Sequence, residues 1–241
     1  MSEKPLIAIT GASSGIGEAV ARAFSKAGHP LLLIARRLDR LEALGLPNAV
    51  LKRADVRDRA ALAGAVGEAE AKLGPVDMMF ANAGIARLGD IARQAPEEWD
   101  EMIDINTKGV MNSVHAVLTG MISRKHGTLV MMSSIAGRKV YPDHTVYCGT
   151  KFFVHAVSES LREYLAPHDV RVIVVSPGII DTEVLDHVND ETTLANYKAN
   201  KAAIGGGISA DVVADLILDA YQLPQRAIVQ EIVITPTRQK Y

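Results

Sequence analysis

Short runs of almost unbroken apolar residues recur along the chain. They are Pro5–Thr10, Pro30–Arg36, Ala49–Ala54, Val76–Ala81, Gly127–Ser133, Val170–Ser176 and Ala227–Ile234. A strand with one solvated face alternates apolar and polar positions, whereas a strand covered on both faces does not. These runs read as the second kind. Helix-length stretches lie between them. In Asp58–Leu73, for example, Leu62, Val66, Ala69 and Leu73 recur at helical spacing, and Gly74-Pro75 stops the helix. A β-α-β-α order predicts an α/β protein with a doubly wound, seven-stranded parallel sheet and helices on both faces. No repeat or linker interrupts the pattern, so residues 1–241 read as a single domain. One segment falls outside it. Thr182–Ser209 is polar, closes with Gly205-Gly206-Gly207, and reads as a long loop of the kind that serves as a mobile lid.

Composition narrows the possibilities. Of 241 residues 48% are hydrophobic, enough for a substantial core, and the net charge is −2 with no basic or acidic tail. Nothing in this suggests a nucleic-acid or membrane partner, and no apolar run is long enough to span a bilayer. Met1-Ser2-Glu3-Lys4-Pro5 lacks the layout of a signal peptide. Cys148 is the only cysteine, which excludes an intrachain disulfide or a thiolate cluster. The histidines stand singly, so no metal is expected. The expected compartment is the cytoplasm.

Against this background two groups of residues carry chemistry. Thr10-Gly11-Ala12-Ser13-Ser14-Gly15-Ile16-Gly17 follows the first strand and opens the first helix. Glycines there let the backbone approach a pyrophosphate, and the helix amino terminus favours its charge. Further on stand Ser134, Tyr147 and Lys151. Positions i and i+4 share a helical face, so Tyr147 and Lys151 can point into one space. A phenol is protonated at neutral pH, and a nearby ammonium favours its ionised form, bringing it closer to working range for acid–base chemistry. Ser134 is placed to hold a substrate oxygen against the phenol. Together the groups describe hydride transfer to or from a carbonyl.

In this combination the chain resembles the short-chain dehydrogenase/reductase family, of the short single-domain, Rossmann-type kind, over nearly its whole length. The landmarks are the Thr10–Gly17 loop, Asn82-Ala83-Gly84, Asn106, Ser134 with Tyr147-x-x-x-Lys151, and Pro177-Gly178 with Thr182. The tail Glu231–Thr237 is similar to a bacterial branch that includes clavaldehyde and 3-hydroxy acid dehydrogenases. The resemblance implies that Tyr147 is the proton donor or acceptor and that Lys151 holds the nicotinamide ribose and lowers the tyrosine pKa. Ser134 would orient the carbonyl, and Asn106 would support a proton path behind Lys151. Gly11, Ser13, Ser14, Gly15, Ile16 and Gly17 would form the pyrophosphate loop. Asp55 and Val56 would meet the adenine, Asn82, Ala83 and Gly84 would line the cofactor groove, and Pro177, Gly178, Ile180 and Thr182 would frame the nicotinamide. Ala81 departs from the asparagine often found there. Ser133 competes with Ser134, and the spacing to the tyrosine favours Ser134.

An enzyme selective for NAD usually carries an acid at the end of the second strand. Here Ala35-Arg36-Arg37 stands in that place, and a guanidinium can pair with a 2′-phosphate. The cofactor expected is therefore NADP(H), with Arg36 the first choice of partner and Arg37 the second. Carry-over puts Ile85, Ile135, Arg138, Tyr141, His144, Ile179, Leu185 and Tyr197 around a small-molecule carbonyl or alcohol, and their mixture also admits a polar or acidic end. Arg138 is either the partner of a substrate carboxylate or a surface residue. The family also implies a homotetramer or homodimer. The rival readings are a non-catalytic NADP(H)-binding regulator, which usually lacks the tyrosine or lysine, and a serine hydrolase, for which Ser134 has no Gly-x-Ser-x-Gly surroundings.

Overall fold

The computed structural model describes residues 4–240. Met1-Ser2-Glu3, on which part of the expectation about a leader rests, and Tyr241 lie outside the described residues. The strands are β1 (Leu6–Thr10), β2 (Leu31–Ala35), β3 (Ala49–Arg53), β4 (Val76–Ala81), β5 (Gly127–Met132), β6 (Val170–Pro177) and β7 (Glu231–Ile234). They form one seven-stranded sheet in the order β3-β2-β1-β4-β5-β6-β7, with every neighbouring pair parallel. The doubly wound α/β architecture read from the apolar runs is the architecture found.

The runs are unbroken because each face of the sheet has its own cover. On β1, Leu6 and Ala8 point into one core cluster with α3 (Arg59–Leu73), α5 (Gly109–Arg124) and α6 (Thr145–Leu165). Ile7 and Ile9 point into another with α1 (Gly15–Lys26) and α8 (Ala210–Gln222). Two short helices, α2 (Leu38–Ala43) and α4 (Pro96–Ile103), complete the crossovers. The chain passes from α4 into α5 through a single π-helical turn, Asp104–Lys108.

Two expectations need correction. The last strand starts at Glu231 rather than Ala227, because Ala227 N donates to Pro224 O in a turn and the ladder to β6 begins at the Val174–Glu231 pair. The segment Thr182–Ser209 is not a long loop. It holds a 3₁₀ turn, Glu183–His187, and the helix α7, Glu191–Ala203. What looked like loop composition is a cap. Asp190 Oδ1 accepts from Thr193 N at 2.7 Å, and Gly205 and Gly206 at φ +87° and +104° turn the chain away after α7.

A polar cluster closes the amino-terminal edge of the sheet, opposite the site described below. Arg171 is 5% exposed and donates to Thr128 Oγ1 (3.0 Å), Tyr221 O (2.8 Å) and Leu223 O (3.0 Å). Tyr221 Oη in turn donates to Asp77 Oδ2 at 2.6 Å. Arg171→Met keeps the stem but strands those buried acceptors. It should cost about 3 kcal/mol in urea unfolding while leaving dinucleotide affinity unchanged; a loss below about 1 kcal/mol would mean water replaces the guanidinium.

Candidate active site

The carboxyl ends of β1 and β4 mark the point from which the crossovers run to opposite sides, where a doubly wound sheet opens a crevice. Here the crevice is a cavity of about 570 Å³. Gly11 and Gly15 take φ +66° and +57° to bring the chain from β1 into α1. A Cβ on Gly11 would lie 2.9 Å from Ala83 Cα, and one on Gly17 would lie 2.3 Å from Gly11 O. Gly17 therefore serves helix-to-strand packing, while Gly11, Ser13, Ser14, Gly15 and Ile16 line the cavity. Ser14 begins α1 without a side-chain cap, so the helix amino terminus meets the cavity through its own N–H groups. That cradle suits a pyrophosphate.

The loop is held from β4. Thr10 Oγ1 donates to Phe80 O (3.3 Å) and accepts from Asn82 N (3.1 Å) and Ala83 N (3.3 Å). Asn82 Nδ2 returns bonds to Thr10 O (3.0 Å) and Gly11 O (3.3 Å). Asn82 is thus chiefly a brace, with Ala83 and Gly84 continuing the cavity wall.

At one end lie Asp55, Val56, Arg36 and Arg37. Hydrogen bonds from Arg57, at 2.7–3.0 Å, hold the Asp55 carboxyl below its ordinary pKa, with Arg36 contributing more weakly through charge alone. Arg37 Nη2 reaches Ser14 Oγ (3.2 Å) and Ser13 Oγ (3.4 Å), so the arginine and both serines share one corner. Sequence reasoning missed Arg40 and Glu183, which line the same corner. Arg40 grips Glu183 through two contacts of 2.8 and 3.0 Å, and Glu183 lies 3.7 Å from Arg37. The spacing of Arg40 three residues after Arg37 is the signal that would have found it.

At the other end stand Ser134, Tyr147 and Lys151. Tyr147 is in the first turn of α6, with Lys151 one turn on. Lys151 is 5% exposed; its Nζ donates to Met132 O at 3.1 Å and lies 5.6 Å from the Tyr147 ring centre. The Ser134 hydroxyl reaches the Tyr147 phenol, accepts from Ala136 N (3.1 Å) and donates to Pro177 O (3.4 Å). Ser133 Oγ instead donates to Lys151 O at 3.1 Å and is buried, whereas the Ser134 hydroxyl faces the Tyr147 phenol. In the protein alone burial is the largest influence on both groups. Burial pushes Tyr147 up to about 12, outweighing the bond from Ser134, and pushes Lys151 down to about 8. Low-polarity surroundings disfavour both charged forms. Tyr147 starts as an acid with its proton in place.

Asn106 does not line the cavity. It is fully buried in the π turn, accepts from Ile85 N (2.9 Å), and donates to Ile85 O (2.9 Å) and Thr150 Oγ1 (3.2 Å). A Cβ on Gly84 would meet both Asn106 Oδ1 (3.2 Å) and Lys151 Nζ (3.6 Å), so Asn106 stands directly behind the lysine. Pro177, Gly178, Ile180 and Thr182 line the cavity as expected. Gln239 also lines it and was missed; its Oε1 accepts from Ile179 N at 2.9 Å.

Ile85, Ile135, Tyr141, His144, Ile179, Leu185 and Tyr197 all border the substrate end. Arg138 does not. It is paired with Glu231 at the start of β7, so the candidate partner for a substrate carboxylate is turned away. His144 Nδ1 is bonded to Asp143 Oδ1 at 2.6 Å. Among the described residues no group of histidines, cysteines and carboxylates could hold a metal, and no helix is long and apolar enough to cross a membrane.

Comparison with known proteins agrees with this geometry. The short chain dehydrogenase family model matches residues 5–193. An NADP-dependent 3-hydroxy acid dehydrogenase of Shigella flexneri is 31% identical over 98% of this chain and 96% of its own. A glycine betaine reductase of Emericella nidulans is 39% identical over 95% of this chain, which corresponds to only 18% of that protein. The closed form of a serine dehydrogenase complexed with NADP⁺ superposes with a TM-score of 0.89 at 31% identity, covering 98% of this chain and 96% of the other. A glycine cradle at the β1–β4 crevice, a serine, tyrosine and lysine facing it, and a family match over most of the length lead to one conclusion: the chain belongs to the short-chain dehydrogenase/reductase family and has the oxidoreductase fold of that family.

Proposed function

We propose that the protein is an NADP(H)-dependent oxidoreductase that interconverts an alcohol with an aldehyde or ketone, using Tyr147 as general acid and base. The observation that carries this reading is convergence. Ser134, Tyr147 and Lys151 meet at one end of a cavity whose other end offers a bare helix amino terminus and the guanidinium groups of Arg36, Arg37 and Arg40. NADP⁺ bound to the superposed serine dehydrogenase supports the same cofactor here.

When bound, NADP(H) supplies or accepts the hydride. The protein's own part is the proton and the positioning. The α1 amino terminus with Gly11, Gly15 and Ile16 takes the pyrophosphate; Asp55 and Val56 take the adenine; Arg36 or Arg37, with Ser13 and Ser14, takes the 2′-phosphate. Pro177, Gly178, Ile180 and Thr182 hold the nicotinamide end. Ser134 donates to the substrate oxygen, and Tyr147 gives it a proton in reduction or removes one in oxidation. Lys151 supports the phenol and contacts the ribose, while Asn106 fixes Ile85 and the wall behind the lysine. Val184, Leu185 and Tyr197 belong to the segment Thr182–Ser209, which acts as the lid. We extend the reading to a cytoplasmic homotetramer or homodimer assembled through α5, α6 and β7. The apolar side chains of Phe152, Tyr164 and Val233 stand exposed on α6 and β7.

Oxidation of NADPH followed by absorbance with a panel of aldehydes and ketones tests the activity itself. Tyr147→Phe keeps the ring and removes the proton. It should lower kcat by about 10²–10⁴-fold and leave NADPH affinity nearly unchanged; near-normal turnover would remove Tyr147 from the mechanism.

Arg36→Ala and Arg37→Ala should each weaken NADPH more than NADH, because only NADPH carries the 2′-phosphate. A charge-assisted bond is worth roughly 1.5–3 kcal/mol, or about ten- to a hundredfold. Fluorescence titration with the two nucleotides measures the ratio, and a wild-type preference for NADH would contradict the assignment.

Lys151 also has a thermodynamic signature. Its folded pKa of about 8 lies below the ordinary lysine value of about 10.4. At pH 7 both folded and unfolded chains carry the ammonium, and the folded state bears the full penalty of burying it. Between pH 8 and 10.4 only the unfolded chain keeps the proton, so the penalty fades. Lys151→Met should therefore lose activity yet be more stable than wild type at pH 7, by at most about 3 kcal/mol. The gain should shrink as pH rises toward 10, and thermal melts across that range will show it. A gain independent of pH would mean the lysine is not buried as a cation.

A further inference from the structure

The substrate end of the cavity has an electrical character that the expectation of an acidic substrate does not match. Among the described residues that line the cavity, the basic side chains apart from His144 are Arg36, Arg37, Arg40 and Lys151. The three arginines stand at the far end beside Ser13, Ser14 and Glu183. Lys151 is bound to Met132 O beneath the phenol. The other cations nearby are engaged elsewhere: Arg138 with Glu231, and Lys201 with Asp181 at 2.6 Å. Lys139 lies 5.6 Å from the Tyr141 ring centre and does not line the cavity. Four carboxylates line it, Asp55, Asp143, Glu183 and Asp186; Asp55 and Glu183 stand beside the arginines, and Asp143 is bonded to His144.

Aromatic rings gather at the same end. Tyr141 and His144 have ring centres 5.2 Å apart, and His144 and Tyr147 6.2 Å apart. Tyr197 faces them from α7. Burial raises its phenol pKa, and Tyr147, Asp181 and Tyr141 raise it further, which places these groups around one space. The raised phenols of Tyr147 and Tyr197 keep their protons in the working range, so their ring faces present negative potential without a competing charge. Aliphatic walls from Leu88, Val184 and Leu185 provide room for methyl groups.

From this arrangement we propose that the substrate is an alcohol or aldehyde bearing an ammonium group, held by Tyr141, Tyr197 and His144 with Asp143 behind, and that carboxylate-bearing substrates are disfavoured. This rests on the oxidoreductase reading above. A cation over aromatic faces is attracted by the ring quadrupole, most strongly where water is excluded. A carboxylate in the same place would face Asp143, and the Lys151 ammonium is held by Met132 O beneath the phenol.

The test uses alcohols of matched shape, oxidised by the purified protein with NADP⁺. Choline carries a trimethylammonium group, 3,3-dimethylbutan-1-ol has the same outline without charge, and 4-hydroxybutanoate carries a carboxylate. The expected order of kcat/KM is choline first, by about tenfold or more over the neutral isostere, with the acid last. Tyr197→Leu and Asp143→Asn should each reduce the choline-to-isostere ratio toward one. Equal or better oxidation of the neutral alcohol or the acid overturns the proposal while leaving the oxidoreductase reading intact. If no alcohol or aldehyde is turned over, that reading fails, and calorimetry with tetramethylammonium chloride decides the subsite by itself. Saturable binding that weakens in Tyr197→Leu supports it, and absence of binding overturns it.

Discussion

The site depends on one exchange of hydrogen bonds between the ends of β1 and β4. The Thr10 hydroxyl has one proton and two lone pairs, and all are used: it donates to Phe80 O and accepts from Asn82 N and Ala83 N. Asn82 answers with its amide to Thr10 O and Gly11 O. Beyond these residues the two strands lead into crossovers on opposite sides of the sheet, and no ladder holds them together. Without the exchange, the turn at Gly11 and the wall at Ala83 would be independent loops. With it they form one rigid edge, against which Gly17 can pack at a distance that only a glycine tolerates. The far wall is fixed in the same manner. Asn112 Nδ2 donates to Val56 O at 2.9 Å, and a Cβ on Gly109 would come within 2.5 Å of Val56. Polar side chains at the ends of β1 and β4 and on α5 thus set the width of the crevice, while the apolar core sets its position.

How much of this could be read from the chain depended on whether the signal was local. Strands covered on both faces leave unbroken runs such as Leu31–Ala35, and the helical pair Tyr147 and Lys151 announces itself by spacing alone. Signals that need a partner distant in sequence were not legible. Arg138 looked available for a substrate because nothing nearby occupied it; its partner, Glu231, is 93 residues away. Glu183 and Arg40 are separated by 143 residues and Gln239 meets Ile179 across 60, so neither contact leaves a local trace. The polar stretch before α7 was misread for another reason. Asparagine and aspartate favour both loops and helix caps, and composition alone does not tell them apart.

The tyrosine and lysine show where sequence logic omitted a magnitude. The spacing argument considered their mutual attraction, which favours the phenolate, and passed over the loss of water around both. In the folded protein the second effect is larger, which raises one pKa and lowers the other. The cavity is correspondingly divided. One end carries Arg36, Arg37 and Arg40 together with Asp55 and Glu183, and the other carries Tyr141, Tyr147 and Tyr197 with Asp143 and Lys151. The two ends of the crevice therefore differ in character, guanidinium and carboxylate groups at one and aromatic rings at the other.

The π turn at Asp104–Lys108 acts as a change of phase. It adds one residue to the helical repeat, an offset of about 100° in an α-helix. Upstream of it Met102 is buried, and downstream Val110, Val114, Val117 and Met121 are buried, and both sets face the same core because the offset lies between them. Deleting one residue in the turn would restore ordinary winding and keep the two flanking faces nearly in phase, but it would remove the widened turn from which Asn106 reaches Ile85. Substitution at the exposed Lys108 disturbs none of this. What the turn supplies is a place for Asn106: Ile105 and Asn106 are buried within it while Lys108 is exposed, so tolerance to substitution differs from one residue of the turn to the next.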